Sequence, residues 1–206
     1  MKTTTAALGL LLLFASGFGA QAQDAPQSGD VAAQQFSGDT RFTLITTGGF
    51  VGFTVLGDWH VIGMQSRPPV TATAFQIPDS ADEGTPDSTN LVVSLLNPET
   101  ALAKAGLDGS ERKDGGTPQV SRHGNWIVHT LSGMQASTRY TIVDAETPIA
   151  DVICRVRIAW PELPNHQPDY DSKMLAVFDA VLDSVAGGSG PYAVHQGETV
   201  RRPDPR

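Results

Sequence analysis

Val152-Ile-Cys-Arg-Val-Arg-Ile-Ala-Trp160 is the stretch whose reading decides the fold. Val152, Cys154, Val156, Ile158 and Trp160 alternate with Ile153, Arg155, Arg157 and Ala159. A period of two sends successive side chains to opposite sides of a strand, so one face is apolar and the other mixed. Pro161 and Pro164 stop this strand, because proline has no N–H to give to the ladder. Beyond them Tyr170, Met174, Val177, Phe178, Val181, Leu182 and Val185 recur at threes and fours, the stripe of an amphipathic helix. Asp169 stands where it can accept from the first free N–H groups, and Gly187-Gly188 is predicted to end the helix in the left-handed region.

Working upstream, Asn125–Leu131 and Thr138–Ala145 read as strands, and Glu146-Thr147-Pro148 reads as the hairpin turn into Val152. That turn places Ile142 opposite Val152 and Tyr140 opposite Cys154, gathering the apolar residues on one side. It also sets Arg139 opposite Arg155, with Arg157 next along and His129 joining from the neighbouring strand. Like charges directly opposed are destabilising unless an anion lies between them. Arg139, Arg155, Arg157 and His129 are therefore the candidate binding residues, a face suited to a small anionic ligand or an acidic protein partner through bidentate guanidinium bonds. The competing reading is structural: arginine stems lie over apolar surface while their heads find acids from nearby loops.

Earlier in the chain, Leu91–Leu96 is a nearly unbroken apolar run, as expected of a strand covered on both faces. Arg41–Leu56 reads as a glycine-interrupted hairpin, and Trp59–Gln65 and Val70–Ile77 as two more strands. Pro98-Glu99 opens a short helix closed by Gly106. With most strands adjacent and helices few, the fold class is α+β, with a largely antiparallel sheet carrying a C-terminal amphipathic helix and one shorter helix.

Residues 1–22 have the form of a signal peptide: Lys2, an apolar stretch from Ala6 to Phe18, and Ala20-Gln21-Ala22 as the cleavage site. The stretch is short and glycine-broken for a bilayer span, so no membrane span is expected after cleavage, and the location is periplasmic or secreted. Residues 23–40 read as a flexible leader, 41–186 as a single α+β domain and 187–206 as a flexible tail. The whole chain carries 14 basic and 22 acidic residues, and losing Lys2 takes the formal charge from −8 to −9. That balance argues against nucleic acid as a partner, since binding it needs a positive surface. The one cysteine, Cys154, has no partner for an internal disulfide, so stability rests on packing.

Catalytic and metal chemistry find no motif. Cys154 lies between inward-facing valines, where a thiol is ordinarily inert. No Gly-x-Ser-x-Gly occurs in the chain after residue 22. The histidines, His60, His123, His129, His166 and His195, fall at no ligand spacing. The acidic loop 79–87 offers carboxylates for calcium but lacks the alternation of an EF-hand, and a solvated loop is the plainer reading. Gly48-Gly49-Phe50-Val51-Gly52 is followed by an apolar, strand-like segment rather than the helix a phosphate loop needs. No catalytic residue, metal or cofactor is expected.

Gly57-Asp58-Trp59 opening a strand, Asn-Leu-Val-Val at 90–93 and the closing Phe178-Asp-Ala-Val-Leu-Asp-Ser184-Val185 together resemble the PsbP and DcrB-like group. The resemblance spans residues 41–186 and extends to secreted proteins of Gram-negative bacteria. It implies a small exported domain with an antiparallel sheet between helices, acting by binding or assembly and without shared catalytic residues. The expected function is a non-catalytic binding or accessory protein of the cell envelope. The alternative is an immunity-type inhibitor of a periplasm-targeted toxin or hydrolase, and an enzyme with an unrecognised site ranks last.

Overall fold

The computed structural model describes residues 25–35, 38–56, 58–67, 70–77, 88–111, 117–135 and 137–201. The expected signal peptide, the acidic loop 79–87, residues 112–116 of the expected loop 108–118 and the last five residues lie outside them, and 108–111 belong to a helix. In chain order the elements are β1 (Val31–Gln35), β2 (Asp39–Ile45), β3 (Gly49–Leu56), β4 (His60–Arg67), β5 (Val70–Gln76) and β6 (Asn90–Leu96). There follow α1 (Ala101–Glu111), β7 (Gln119–His123), β8 (Trp126–Gln135), β9 (Thr138–Ile149) and β10 (Val152–Pro161). The chain closes with α2 (Tyr170–Ser184), β11 (Ala186–Ser189) and β12 (Thr199–Arg201).

The strands form two sheets rather than one, in orders β11-β3-β2-β1-β12 and β4-β5-β6-β10-β9-β8-β7. Every described pairing is antiparallel, so the protein is α+β with a mostly antiparallel architecture. The apolar face of β10 closes against the smaller sheet: Cys154, Val156, Ile158 and Trp160 are buried together with Leu44, Val51 and Phe53. Phe42 of one sheet meets Phe75 of the other edge-on at 4.9 Å, and Phe53 completes the aromatic bridge at 5.9 Å from Phe75. Such aromatic pairs contribute about 0.5–1.5 kcal/mol beyond the area they bury.

Helix α2 lies against one strand of each sheet, β3 and β10, and buries Met174, Phe178, Val181 and Leu182. Its two ends are tied down by side chains. Trp160 Nε1 donates to Asp171 Oδ1 at 2.8 Å in the first turn, and Thr54 N donates to Ser184 Oγ at 2.9 Å at the last. Asp169 does not cap as predicted. It makes no side-chain cap bond, and its carboxylate pairs with Lys173 at 3.0 Å instead.

Several expectations fail because non-local packing overrides local signals. The helix ends at Ser184, with Val185 extended, and Gly187-Gly188 belong to β11 rather than to a helix terminus. These glycines serve close approach: a Cβ on Gly187 would stand 2.1 Å from Ile149 Cγ2, and one on Gly188 2.6 Å from the Phe50 ring. The predicted leader contains β1, paired on both sides by β2 and β12. The predicted tail supplies β11 and β12, and Tyr192 packs edge-on against Phe50. The described parts of both segments therefore contribute strands to the smaller sheet, where flexible ends were expected.

Helix α1 begins at Ala101 and not at Pro98-Glu99. Thr100 Oγ1 accepts from Ala103 N at 3.1 Å, the bond of a capping threonine. Gly106, at φ 62°, breaks its helical geometry without ending it. Strand β6 is buried fully on one side only, with Val92 and Ser94 half-buried on the other.

The register of β9 with β10 is the correction that matters most. The turn falls at Ala150-Asp151, not at 146–148, so Ile149 faces Val152, Glu146 faces Arg155 and Asp144 faces Arg157. Pro148 lies inside β9, yet the β8–β9 pairing stops at Ile127 and Glu146, so its missing N–H leaves no ladder bond unmade.

Candidate functional site

Cross-strand neighbours share a face, so the register determines which charges meet. On the side of β10 facing away from the core, Arg157 holds Asp144 with both Nε and Nη2, each at 2.9 Å. Arg155 Nη2 donates to Glu146 Oε2 at 2.8 Å. His129 is buried directly opposite Asp144. Three of the four predicted binding residues are thus brought together. Arg139 is not: it has the opposite parity in β9, is exposed and faces Met134 across β8.

The acids that the sequence reading missed change the meaning of this face. Asp144 and Glu146 alternate along β9 as Arg157 and Arg155 do along β10, and opposite-charge pairing was the available signal. The Asp144 side chain is 2% exposed and that of Arg157 34%, so this is a buried, bidentate pair and not an open anion receptor. α1 lies against β9 on this face, where Gly106 sits beside Glu146. What remains open is a groove of about 230 Å³ flanked by Asn90, Tyr140, Ile142 and Arg157.

A larger cleft, about 530 Å³, opens where the β1 and β12 margin of the smaller sheet meets the β4 edge of the larger one. Pairing places Val31, Ala33 and Phe42 on the inward side of the smaller sheet, and Thr199 and Arg201 share that side on β12. Trp59, Val61 and Met64 form the opposite wall, partly buried against the core. A bulge between Val61 and Gly63 explains how residues three apart come to share a face. Val61 opposes Phe75 before the shift and Met64 opposes Thr73 after it. Re-aiming a side chain in this way is a recurrent use of bulges. The lining mixes these apolar side chains with the polar Gln35, Thr40, Thr199 and Arg201.

The remaining reactive groups are structural. Burial pushes the Cys154 thiol up to about 12, so it is neutral at physiological pH. Ser132 Oγ on β8 donates to Glu162 Oε1 at 2.9 Å, tying that strand to the residue that follows β10. His123 is clasped by α2, with Nε2 2.6 Å from Asp183 and Nδ1 3.5 Å from Asp179. The hydrogen bond to Asp183 is the largest cause of a raised imidazole pKa, opposed by burial and aided by both carboxylate charges. Among the described residues no cluster of three or more His, Cys, Asp or Glu side chains converges on a metal position, and no helix is long and apolar enough to cross a membrane.

No protein-family model matches the chain, that of the PsbP and DcrB-like group included, and no curated protein matches it. Among solved structures the chain is similar to the following at low identity. One is LpqN, involved in cell envelope biogenesis of Mycobacterium tuberculosis, at 14% identity and a TM-score of 0.44 over 73% of this chain and 92% of that one. Another is a protein from Bacteroides thetaiotaomicron VPI-5482, at 11% identity and a TM-score of 0.42. That match covers 67% of this chain, which spans only 45% of the Bacteroides protein.

Proposed function

We propose that the protein is a non-catalytic binding or accessory protein of the cell envelope, periplasmic or secreted, and that it holds a small apolar ligand in the cleft between its sheets. The cleft carries this reading. Its volume of about 530 Å³ lies in the roughly 300–1,000 Å³ range of small-molecule sites, and its lining sets Phe42, Trp59, Val61 and Met64 beside the polar Gln35, Thr40 and Thr199. The groove beside Arg157 is less than half as large, and its guanidinium is already engaged by Asp144. The signal-peptide pattern of residues 1–22 supports export.

N-phenyl-1-naphthylamine, a neutral apolar fluorophore, tests the cleft. Saturable one-to-one enhancement of its emission by the mature protein is expected, with loss of that enhancement in Ala33→Trp, which fills the cleft. A non-saturating response, or one that Ala33→Trp leaves intact, overturns the reading. The immunity-type alternative is favoured by a different feature: edge strand β7 exposes Val120 (64%) beside the exposed Ile127 of β8, an apolar spot suited to a protein partner.

A further inference from the structure

Arg201 is the cationic group at the cleft, and it stands on the inward-facing side of the smaller sheet, opposite Val31. In a chain of net charge −8, it makes no ion pair with any described residue. Its side chain is exposed, at the mouth, while Phe42, Val61 and Met64 lie deeper. The cleft therefore sets the apolar side chains of Phe42, Trp59, Val61 and Met64 within a mixed lining, and among the described lining residues Arg201 is the charged one.

Resting on the cleft being a ligand site, we propose that its ligand is a single-chain amphiphile with one anionic head, a fatty-acid-like carboxylate. The hydrocarbon chain lies between Phe42 on one wall and Trp59, Val61 and Met64 on the other. The head meets the Arg201 guanidinium, whose planar fork matches a carboxylate with two parallel N–H···O bonds. A neutral ligand would leave that charge without a counterpart, and a cationic one would be repelled by it. The chain supplies affinity and the head supplies selectivity, so the two are separable by experiment.

Titrations of the mature protein with laurate, octaethylene glycol monododecyl ether and dodecyltrimethylammonium, all below their micelle concentrations, test this at pH 8. Trp59 emission reports entry, checked against Trp59→Phe, since Trp126 and Trp160 are buried in the core. Laurate is expected to bind about tenfold more tightly than the neutral ether, and the cationic detergent more weakly than either. Arg201→Gln removes the laurate advantage and leaves the ether unchanged, and Arg201→Glu reverses the order of laurate and the cation. Shortening laurate to decanoate weakens binding about fifteenfold, near fourfold for each methylene taken from an apolar site. Equal affinity for all three, or a laurate preference that survives Arg201→Gln, overturns the head-group assignment while leaving the cleft as a site. Failure of every amphiphile to bind overturns the cleft reading as well, and Arg201 is then a charge that only blunts a sheet edge.

Discussion

Arg157 and Arg139 are both arginines on the central hairpin, yet they stand in opposite situations. Removing the Arg157 side chain strips the buried Asp144 of two bonds at 2.9 Å. Deleting one partner of a buried pair costs about 3–5 kcal/mol, because a charge is left in a poor dielectric. Arg157→Ala is therefore expected to lower stability in urea unfolding by about 3 kcal/mol. Arg139→Ala, on an exposed site, is expected to shift it by no more than about 0.5 kcal/mol. Equal effects would contradict the observed register. The alternation of Val152–Trp160 was legible from the sequence, and Cys154 faces inward as read there. The ion pairs were not legible, because they depend on which residue of β9 lies opposite. Glu146-Thr147-Pro148 looked like a turn on composition, and moving the turn to Ala150-Asp151 shifts the pairing by seven residues. An odd shift exchanges faces, so Arg139 leaves the group and two acids enter it.

Among the elements, the β7–β8 hairpin and α2 are joined through His123. Asp179 and Asp183 are four apart on the helix, a spacing at which like charges repel, and an imidazolium between them relieves the repulsion. The raised pKa fixes the sign. A histidine bound more tightly to its proton when folded contributes stability that is complete below its unfolded value, near 6.5, and lost as pH rises through the folded value. The melting temperature of the protein should exceed that of His123→Ala at about pH 5.5, and the gap should close by about pH 9. A gap independent of pH would mean that His123 acts by packing alone. Two helices were expected and two are present among the described residues, but the local punctuation misled: Asp169 makes no cap bond, Gly106 does not close α1, and the hairpin turn is not at Glu146-Thr147-Pro148. The ends of the chain were not expected as strands. β1, β11 and β12 are three to five residues long, and their sequences carry Gln, Gly and Ser, so nothing local distinguishes them from coil. They are strands because β2 offers an edge to β1, β1 in turn to β12, and β3 to β11.

Taken whole, the molecule closes two sheets around one apolar interior, with Cys154 at its centre. A thiol raised to about 12 and fully buried reacts only when the structure opens. Alkylation by iodoacetamide at pH 8 is expected to be undetectable in the native protein and complete in urea, with a native rate that follows global unfolding. Rapid native labelling would place the thiol in a reactive setting instead. The same sign argument applies at high pH. The unfolded thiol ionises near 8.5–9 and the folded one does not, so stability falls as pH rises from about 9 towards 12.

What the chain determines by itself is local: which residues alternate, which recur at helical spacing, and that an apolar face requires a cover. Those patterns arise from the geometry of a single strand or helix, so a single strand or helix suffices to read them. The second sheet, the seven-residue displacement of the hairpin, the neutralised arginines and the cleft beside Arg201 were decided only in three dimensions. Each depends on partners distant in sequence, chosen by the sum of many weak cross-strand contacts that no short window contains.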